Sequence, residues 1–302
     1  MLVNMKEILK EAEEKGYAIG CINTPNMETL RAVVDAAEEL NVPIIIDHAQ
    51  VHDPLIPMES IGPKMVEYAK QAKVPVCVHL DHGSDYSFVM RAIRCGFSSI
   101  MYDLSALPFE ENMAKLKEFT KIAHDLNITV EAELGIMTST EEDSHGGSMG
   151  WTHESIKKTF TDPAQAAEFA RETGVDALAV CFGTAHGIYA EPPLLDIERV
   201  KAIRAAMPKE TRVVMHGGSG VDEEQVRAAI TAGCSKVNYY SYMATAASRH
   251  IREYLNERDG KAFWHEVEEE SYRFMKEYAK VYRAGTKLGS GPGRAIHEPY
   301  AA

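Results

Sequence analysis

Short apolar runs recur along the chain, and each is bounded by glycine, proline or polar residues. Residues 43–47 are one example, in which three consecutive isoleucines follow a proline and precede an aspartate. A continuous β-branched run of this length is typical of a strand that is buried on both faces, as in parallel sheets covered by helices. The runs predict eight strands, at residues 17–23, 43–47, 75–80, 97–103, 128–134, 176–182, 212–215 and 235–239.

Amphipathic segments with apolar positions three and four residues apart separate these runs. Gly16, Gly96 and Gly174 each follow such a segment, at the position where glycine commonly ends a helix. The periodicity predicts helices over residues 5–15, 27–40, 63–72, 85–95, 108–125, 163–173, 196–206, 222–232, 241–257 and 261–283.

The alternation of strands and helices predicts an α/β fold, a (β/α)8 TIM barrel with extra C-terminal helices. An open doubly wound sheet is the alternative, but no GxGxxG follows the first strand, which argues against a dinucleotide fold. Residues 135–161 interrupt the alternation with a Gly-, Ser- and acid-rich insertion, which predicts a functional lid or mobile loop. We predict one domain over residues 1–302, with a partly mobile tail at 284–302.

Composition and charge exclude several classes of partner. Apolar residues make up 45% of the 302 residues, which is ordinary for a globular protein. The net charge is −13 and no cluster of lysines and arginines occurs, so no nucleic-acid partner is expected. No apolar run is long enough for a transmembrane helix, and residues 1–6 lack a signal-peptide core, so no membrane contact and a cytoplasmic location are expected.

The cysteines carry no recognisable motif. Their number, five, is odd and no CxxC occurs, so we expect reduced, buried side chains rather than disulfides. A catalytic cysteine is the alternative. The five are Cys21, Cys77, Cys95, Cys181 and Cys234.

Polar residues stand at the ends of the predicted strands. The central run, residues 75–80, is followed at once by Asp81 and His82. A carboxylate and an imidazole there add little to packing, but they would face a ligand at the open end of a barrel. The other interpretation is a helix-capping aspartate beside a surface histidine. Further strand ends carry Asn23, Asp103, Glu131, Glu133, His186, His216 and Asn238.

Two of these features predict specific chemistry. His82, His186 and His216 follow three different strands, and three imidazoles that converge on one divalent ion are typical of a catalytic zinc site with one open position. Residues 217–220, Gly-Gly-Ser-Gly, precede a helix and would expose backbone N–H groups to an anion. A plain tight turn is the other interpretation of the glycines.

With these residues in place, the chain resembles the class II, zinc-dependent fructose/tagatose-bisphosphate aldolases over nearly its whole length. Several long motifs carry the resemblance in order. They are HLDHG (79–83), MYDLS (101–105), VEAELG (130–135), the acidic run 141–143, GTAHGIY (183–189), MHGGSGV (215–221) and KVN (236–238).

The resemblance implies a role for each matching residue. His82, His186 and His216 would bind the catalytic Zn²⁺, and Asp103 and Glu133 would lie close enough to hold it in an alternative position. Asp81 would exchange the proton of the C4 hydroxyl, and Glu142 on the mobile loop would move the proton at the enolate carbon. The reaction would be reversible cleavage of the C3–C4 bond of a ketose or ketose phosphate, with Zn²⁺ as the Lewis acid.

The resemblance also implies a set of substrate contacts and a wider context. We expect the chain to form a homodimer or homotetramer with a small sugar or sugar phosphate as substrate, and a monovalent cation is allowed beside the zinc. Asn238 would orient the bound ketone. The substrate-binding residues would be Asn23, Gly187, Gly217, Gly218, Ser219, Asn238 and Ser241.

The phosphate contacts depart from the family pattern. Ala190 replaces the lysine of the usual HGxYK motif, and Ala49 stands where a serine or threonine is common. Tyr240 and Ser241 replace the Asp-Thr pair of bisphosphate-cleaving members, and His265 aligns loosely with an arginine that reaches a neighbouring subunit. We therefore expect a substrate other than ordinary fructose 1,6-bisphosphate. The alternative is that another cation, from among Lys64, Lys261 and Arg294, replaces the missing charge.

Two other functions fit the same motifs. One is a metal-dependent sugar epimerase that uses the same enolate or retro-aldol chemistry. The other is a non-catalytic aldolase-like subunit on a decayed barrel. The intact set of Asp81, Glu142 and three histidines argues against decay.

Overall fold

The computed structural model describes residues 1–135, 153–187, 189 and 192–281. Glu142, most of the predicted lid and the tail 284–302 lie outside the described residues. The strands β1 to β9 are Leu2–Val3, Ile19–Asn23, Ile44–Ala49, Val76–Gly83, Ser99–Tyr102, Thr129–Leu134, Ala177–Val180, Arg212–Met215 and Cys234–Tyr239.

Eight of these strands form a closed parallel barrel, which confirms the predicted TIM barrel. The hydrogen-bonded order is β4-β3-β2-β9-β8-β7-β6-β5, and β5 pairs with β4 to close it. The short β1 is absent from the sequence prediction. It pairs with the first residues of β4, where Leu2 lies opposite Val76, and it therefore adds to the bottom of the barrel.

Helices lie between the strands and largely match the prediction. The helices α1 to α11 are Met5–Lys15, Met27–Leu40, Met58–Gln71, Tyr86–Cys95, Phe109–Asp125, His153–Lys157, Pro163–Thr173, Ile197–Ala206, Glu223–Thr231, Ser241–Asn256 and Trp264–Val281. None of these described helices is both long and apolar enough to cross a membrane.

Two segments differ from the prediction. Helix α3 begins at Met58 and not at Pro63, more than one turn earlier than predicted, and Asp53 Oδ1 accepts a hydrogen bond from Met58 N (2.9 Å) at its start. A 3-10 turn, Gln50–His52, precedes it. The short helix α6 lies inside the segment 135–161, for which the sequence predicts a functional lid or mobile loop and no helix was assigned.

The barrel interior changes character from one end to the other. At the amino ends of the strands, Met5, Ile8 and Leu9 of α1 pack against Ile19 and Ile45, so an apolar plug closes the bottom. Farther along the strands the buried interior positions are polar, and they include Asn23, Asp47, His79, Asp81, Glu131 and Asn238. Polar chemistry is therefore concentrated at the carboxyl ends, which is where TIM barrels place their sites.

The five cysteines are free, as expected. Four of them are buried, but Cys95 at the end of α4 is only partly buried, so the expectation of complete burial was wrong for this residue.

Candidate active site

A backbone irregularity at the end of β4 directs two adjacent side chains toward the barrel mouth. Successive side chains of a strand normally point to opposite faces. His82, however, has φ of +47°, and the pairing of β4 with β5 shifts register between Leu80 and Gly83. Asp81 and His82 consequently both line the cavity at the mouth. A non-glycine residue in the left-handed region is strained, and such strain is common at functional sites.

The three predicted histidine ligands come together at this mouth. The ring centroid of His82 lies 4.8 Å from that of His186 and 4.7 Å from that of His216. One potential ligand atom from each histidine lies within 4.8 Å of the others, and His82, Asp103 and Glu133 form a second group of the same kind. The structure therefore brings together all five residues that were predicted to surround a metal.

The hydrogen bonds of two of these histidines fit metal ligation. His82 Nδ1 lies 2.7 Å from Asp103 Oδ2, and His216 Nε2 lies 2.9 Å from Glu131 Oε1. Their other nitrogens, His82 Nε2 and His216 Nδ1, are buried without a hydrogen-bond partner among the described residues. Buried nitrogens are rarely left unsatisfied, and a carboxylate behind a histidine is the usual support of a metal ligand. The residues present thus fit a divalent metal ion.

The charges around His82 favour a cation at this point. Burial alone would lower the pKa of His82, but Asp81 and Asp103 raise it to about 10. The pKa of the deeper His216 is lowered, chiefly by burial. The acids thus stabilise one positive charge in the cluster, and a divalent ion would supply that charge once His82 has lost its proton.

Asp81 lies beside the histidines as a buried carboxylate. Its side chain is 6% exposed, and its Oδ1 accepts a hydrogen bond from Asn238 Nδ2 (3.1 Å). Burial would raise the pKa of Asp81, but the nearby His82 and His216 lower it to about 2. The group is therefore ionised at neutral pH and can accept a proton.

A cavity of about 140 Å³ opens above Asp81 and the histidines. Six of the seven predicted substrate-binding residues line it. The exception is Gly218, whose N–H donates to the carbonyl oxygen of Asn238 (3.1 Å) and is therefore not directed at a ligand. The lining residues are Asn23, Ala49, Val51, His52, Asp81, His82, His186, Gly187, Gly217, Ser219, Asn238, Tyr239, Tyr240 and Ser241.

The described lining of the cavity contains no lysine or arginine. Lys64 and Lys261, two of the three alternative cations, are not among the lining residues, and Lys64 pairs with Glu67 on the surface of α3 (3.0 Å). Ala190 and Arg294 lie outside the described residues. The part of the cavity that the structure describes is therefore poor in groups that would bind a phosphate dianion strongly.

Several cavity residues were not predicted from the sequence. His52 and Tyr240 meet edge to face, with ring centroids 5.2 Å apart, and Val51 lies on the same side. Val51 and His52 belong to the 3-10 turn after β3, which carried no motif. Only the position of this turn directly after a barrel strand could have indicated that Val51 and His52 line the cavity. Tyr240 directly follows β9, where Tyr240 and Ser241 replace the family's Asp-Thr pair.

Gly217 holds the turn after His216 in a shape that needs glycine. Its φ is +61°, and a Cβ there would lie 2.2 Å from Ala185 O. The Tyr189 hydroxyl accepts a hydrogen bond from Ala185 N (2.8 Å) and lies 2.9 Å from Gly217 O. The turn after His216 and the loop that bears His186 are therefore in direct contact.

Substitution of Gly217 by alanine should destabilise the protein more than the same change at Gly16. Gly16 has φ of +71°, and a Cβ added there would meet no atom within 4 Å, so Gly16→Ala should cost only the ~1–2 kcal/mol of the left-handed conformation. Gly217→Ala must also displace the backbone at Ala185, because the added Cβ would lie 2.2 Å from Ala185 O. Urea unfolding of both variants checks this expectation, and equal losses of stability would contradict it.

The chain is similar to known proteins over nearly all of its length. Residues 3–287 match the family model described as fructose-bisphosphate aldolase class-II. The structure of the YdjI aldolase from Escherichia coli K12 is 35% identical, covers 97% of this chain and 99% of its own, and superposes with a TM-score of 0.82. The fructose-bisphosphate aldolase of Campylobacter jejuni is 21% identical over 93% of this chain and 94% of its own, with a TM-score of 0.72, and shares the fold.

Proposed function

The chain belongs to the class II fructose-bisphosphate aldolase family, and from this premise we propose that it is a zinc-dependent aldehyde-lyase that reversibly cleaves a ketose or ketose phosphate. The products would be a dihydroxyacetone-type ketone and an aldehyde. The observation that carries the proposal is the convergence of His82, His186 and His216 beside the ionised Asp81.

The three histidines would hold the metal, with Asp103 and Glu133 close enough to exchange with them as ligands. Histidine nitrogens suit zinc, and the set leaves a position open for substrate. When bound, Zn²⁺ would supply Lewis-acid polarisation of the ketose carbonyl.

The protein's own groups would divide the proton transfers. Asp81, ionised and buried, would accept the C4 hydroxyl proton as the C3–C4 bond breaks and return it in the reverse direction. Asn238 lines the same cavity, and its amide would orient the ketone while it holds Asp81. Glu142 would move the proton at the carbon next to the carbonyl. The described cavity lining contains no lysine, so nothing in it supports Schiff-base chemistry.

We further propose that the substrate is not an ordinary ketose 1,6-bisphosphate. Family membership implies sugar phosphates in general, but Ala190 stands where a lysine is usual, and the described lining contains no cation. Each charged contact to a phosphate contributes ~1.5–3 kcal/mol. A substrate without phosphate at the ketone end would not need these contacts.

The first test is solvent-deuterium exchange into dihydroxyacetone and into its phosphate, followed by NMR with zinc-loaded protein and a chelator-treated control. Faster exchange into free dihydroxyacetone would support the unphosphorylated ketone end, and Ala190→Lys should then shift the preference toward the phosphate. Faster exchange into the phosphate in the unmodified protein would contradict that part of the proposal. Exchange into neither ketone, with zinc bound, would contradict an aldolase that uses either of them.

We also propose a homo-oligomer. An apolar groove of about 740 Å³ runs between α2, α10 and α11, and Thr29, Met243 and Met275 are among its lining residues. Trp264 also lines the groove and is 73% exposed in the single chain, and the preceding Phe263 is 74% exposed. Large exposed aromatic side chains next to an apolar groove are typical of interaction surfaces.

Introduction of a charge at this surface should weaken the assembly. Trp264→Glu is expected to shift the mass measured by light scattering toward that of a single chain. Leu126→Glu places the same charge on a 54% exposed residue after α5 and serves as the control. A single-chain mass for the unmodified protein would refute the homo-oligomer, and an unchanged oligomer in Trp264→Glu would place its interface elsewhere.

A further inference from the structure

A lysine lies fully buried inside the barrel, below the candidate active site. Lys236 on β9 has 0% exposure and does not line the cavity. TIM-barrel interiors are usually filled by branched apolar side chains. A buried charge is expensive unless it is paired and hydrogen-bonded, and replacement of such a pair by apolar residues often leaves stability unchanged or higher. Packing alone is therefore a poor explanation for Lys236.

One set of contacts leads from Lys236 toward the metal ligands. Its Nζ lies 3.0 Å from Glu131 Oε1 and 2.9 Å from Oε2. Glu131 Oε1 in turn lies 2.9 Å from His216 Nε2. A carboxylate that accepts the Nε2 proton leaves Nδ1 of the same ring with a free lone pair, and His216 Nδ1 is the buried atom of that ring without a hydrogen-bond partner in the described structure.

A second set of contacts leads from Lys236 toward the catalytic carboxylate. Lys236 Nζ donates to Asn238 Oδ1 (2.7 Å), and Asn238 Nδ2 donates to Asp81 Oδ1 (3.1 Å). An ammonium group can only donate, so it requires the oxygen of the amide to face it. The amide NH₂ must then face Asp81.

We infer that Lys236 is a positioning residue that sets two groups at once, the Nδ1-ligating form of His216 through Glu131 and the orientation of the Asn238 amide against Asp81. The inference rests on the proposed function, because it assigns His216 to the metal and Asp81 to the proton transfer. Lys236 itself is neither a lining residue of the cavity nor a member of the two groups of potential metal ligands. The positions of the metal ligand His216 and of the acid/base group Asp81 therefore both depend on the buried charge of Lys236.

The test compares Lys236→Met with the unmodified protein. Methionine is similar in size but cannot pair with Glu131 or orient Asn238. The zinc dissociation constant, measured by chelator competition, should rise about 10–100-fold, as is usual when the support of a metal ligand is lost. At saturating zinc, kcat for condensation of the better ketone with glyceraldehyde should still fall at least tenfold, with a smaller change in KM.

Further variants keep the result interpretable. Cys77→Ala removes another fully buried side chain of the barrel interior, whose thiol lies 3.6 Å from Ser98 Oγ, and it should leave both quantities unchanged. Lys236→Met leaves Glu131 as an unpaired buried carboxylate and can fail to fold. In that case the double variant Lys236→Met/Glu131→Gln, which buries no unpaired charge, is compared with Glu131→Gln alone, because Glu131 itself contacts His216. The double variant should lose more zinc affinity and more kcat than Glu131→Gln does, and equal losses in the two variants would overturn the inference.

The outcomes separate this inference from the proposed function. If the unmodified protein binds no zinc and catalyses no exchange, the proposed function fails. If it does both, and the folded lysine variant matches Cys77→Ala in zinc affinity and kcat, then Lys236 only fills space and the inference is overturned. If Lys236→Met lowers thermal stability but changes neither zinc affinity nor kcat, the inference is likewise overturned.

Discussion

Asp81→Asn is expected to lower the rate of carbon–carbon bond cleavage and condensation by about 10²–10⁴-fold, the usual contribution of a general acid/base. The amide has nearly the same shape, but it cannot accept the C4 hydroxyl proton. Its oxygen can still accept the hydrogen bond from Asn238, so the local structure should persist. The three histidines are untouched, and zinc stoichiometry should be unchanged when measured by atomic emission.

Measurement of ketone-proton exchange separately from bond cleavage distinguishes the role of Asp81 from that of Glu142. Exchange of the ketone proton does not involve the C4 hydroxyl, so Asp81→Asn should retain it, whereas Glu142→Gln should lose it. Asp176→Asn is the matched control, because Asp176 precedes β7 at the opposite end of the barrel and accepts a hydrogen bond from Val130 N (2.8 Å). If Asp81→Asn loses both proton exchange and bond cleavage, Asp81 takes part in the enolisation step. That result would contradict its assignment to the C4 hydroxyl proton.

His82→Ala is expected to remove both the metal and the activity. His82 is the residue common to the two groups of potential ligands, so neither group survives its loss intact. The zinc dissociation constant should rise by more than the ~100-fold that loss of an outer-shell partner costs. Activity should fall at least about 10³-fold, because Lewis-acid catalysis contributes several kcal/mol and each ~1.4 kcal/mol is a factor of ten.

His124→Ala provides the control for this substitution. His124 lies at the end of α5 and pairs with Asp176 (2.8 Å), and its side chain is 42% exposed. The His124→Ala variant should bind zinc with the same affinity as the unmodified protein and should have the same activity. When a chelator removes zinc from the unmodified protein, activity should fall as far as it does in His82→Ala. Added zinc should restore the activity of the unmodified protein but not that of His82→Ala. Full zinc binding by folded His82→Ala would refute the proposed ligand set.

Strand β4 matches its sequence pattern along most of its length and departs from it at His82. The apolar run before Asp81 was sufficient to predict a buried strand with polar residues at its carboxyl end, because burial on both faces leaves a plain pattern. The pattern could not show that His82 would turn back toward the same side as Asp81. Strand alternation argues against it, and only the left-handed φ of +47° and the register shift allow it.

Other differences have the same origin in long-range contacts. The turn at Gly218 directs its N–H to the carbonyl oxygen of Asn238 rather than to a ligand. The role inferred for Lys236 depends on Glu131, which is 105 residues away in the chain. No periodicity or local motif contains such pairings, because they arise only when the barrel closes.

The sequence by itself therefore determined the alternation of strands and helices, the class of fold and the residue types at the barrel mouth, since these follow from local burial patterns and from motifs in order. Tertiary structure alone decided which nitrogens of His82 and His216 remain open to a metal, which donors around the cavity are already used, and which charges lie beneath it. Those properties depend on distances between strands, and closure of the barrel sets these distances.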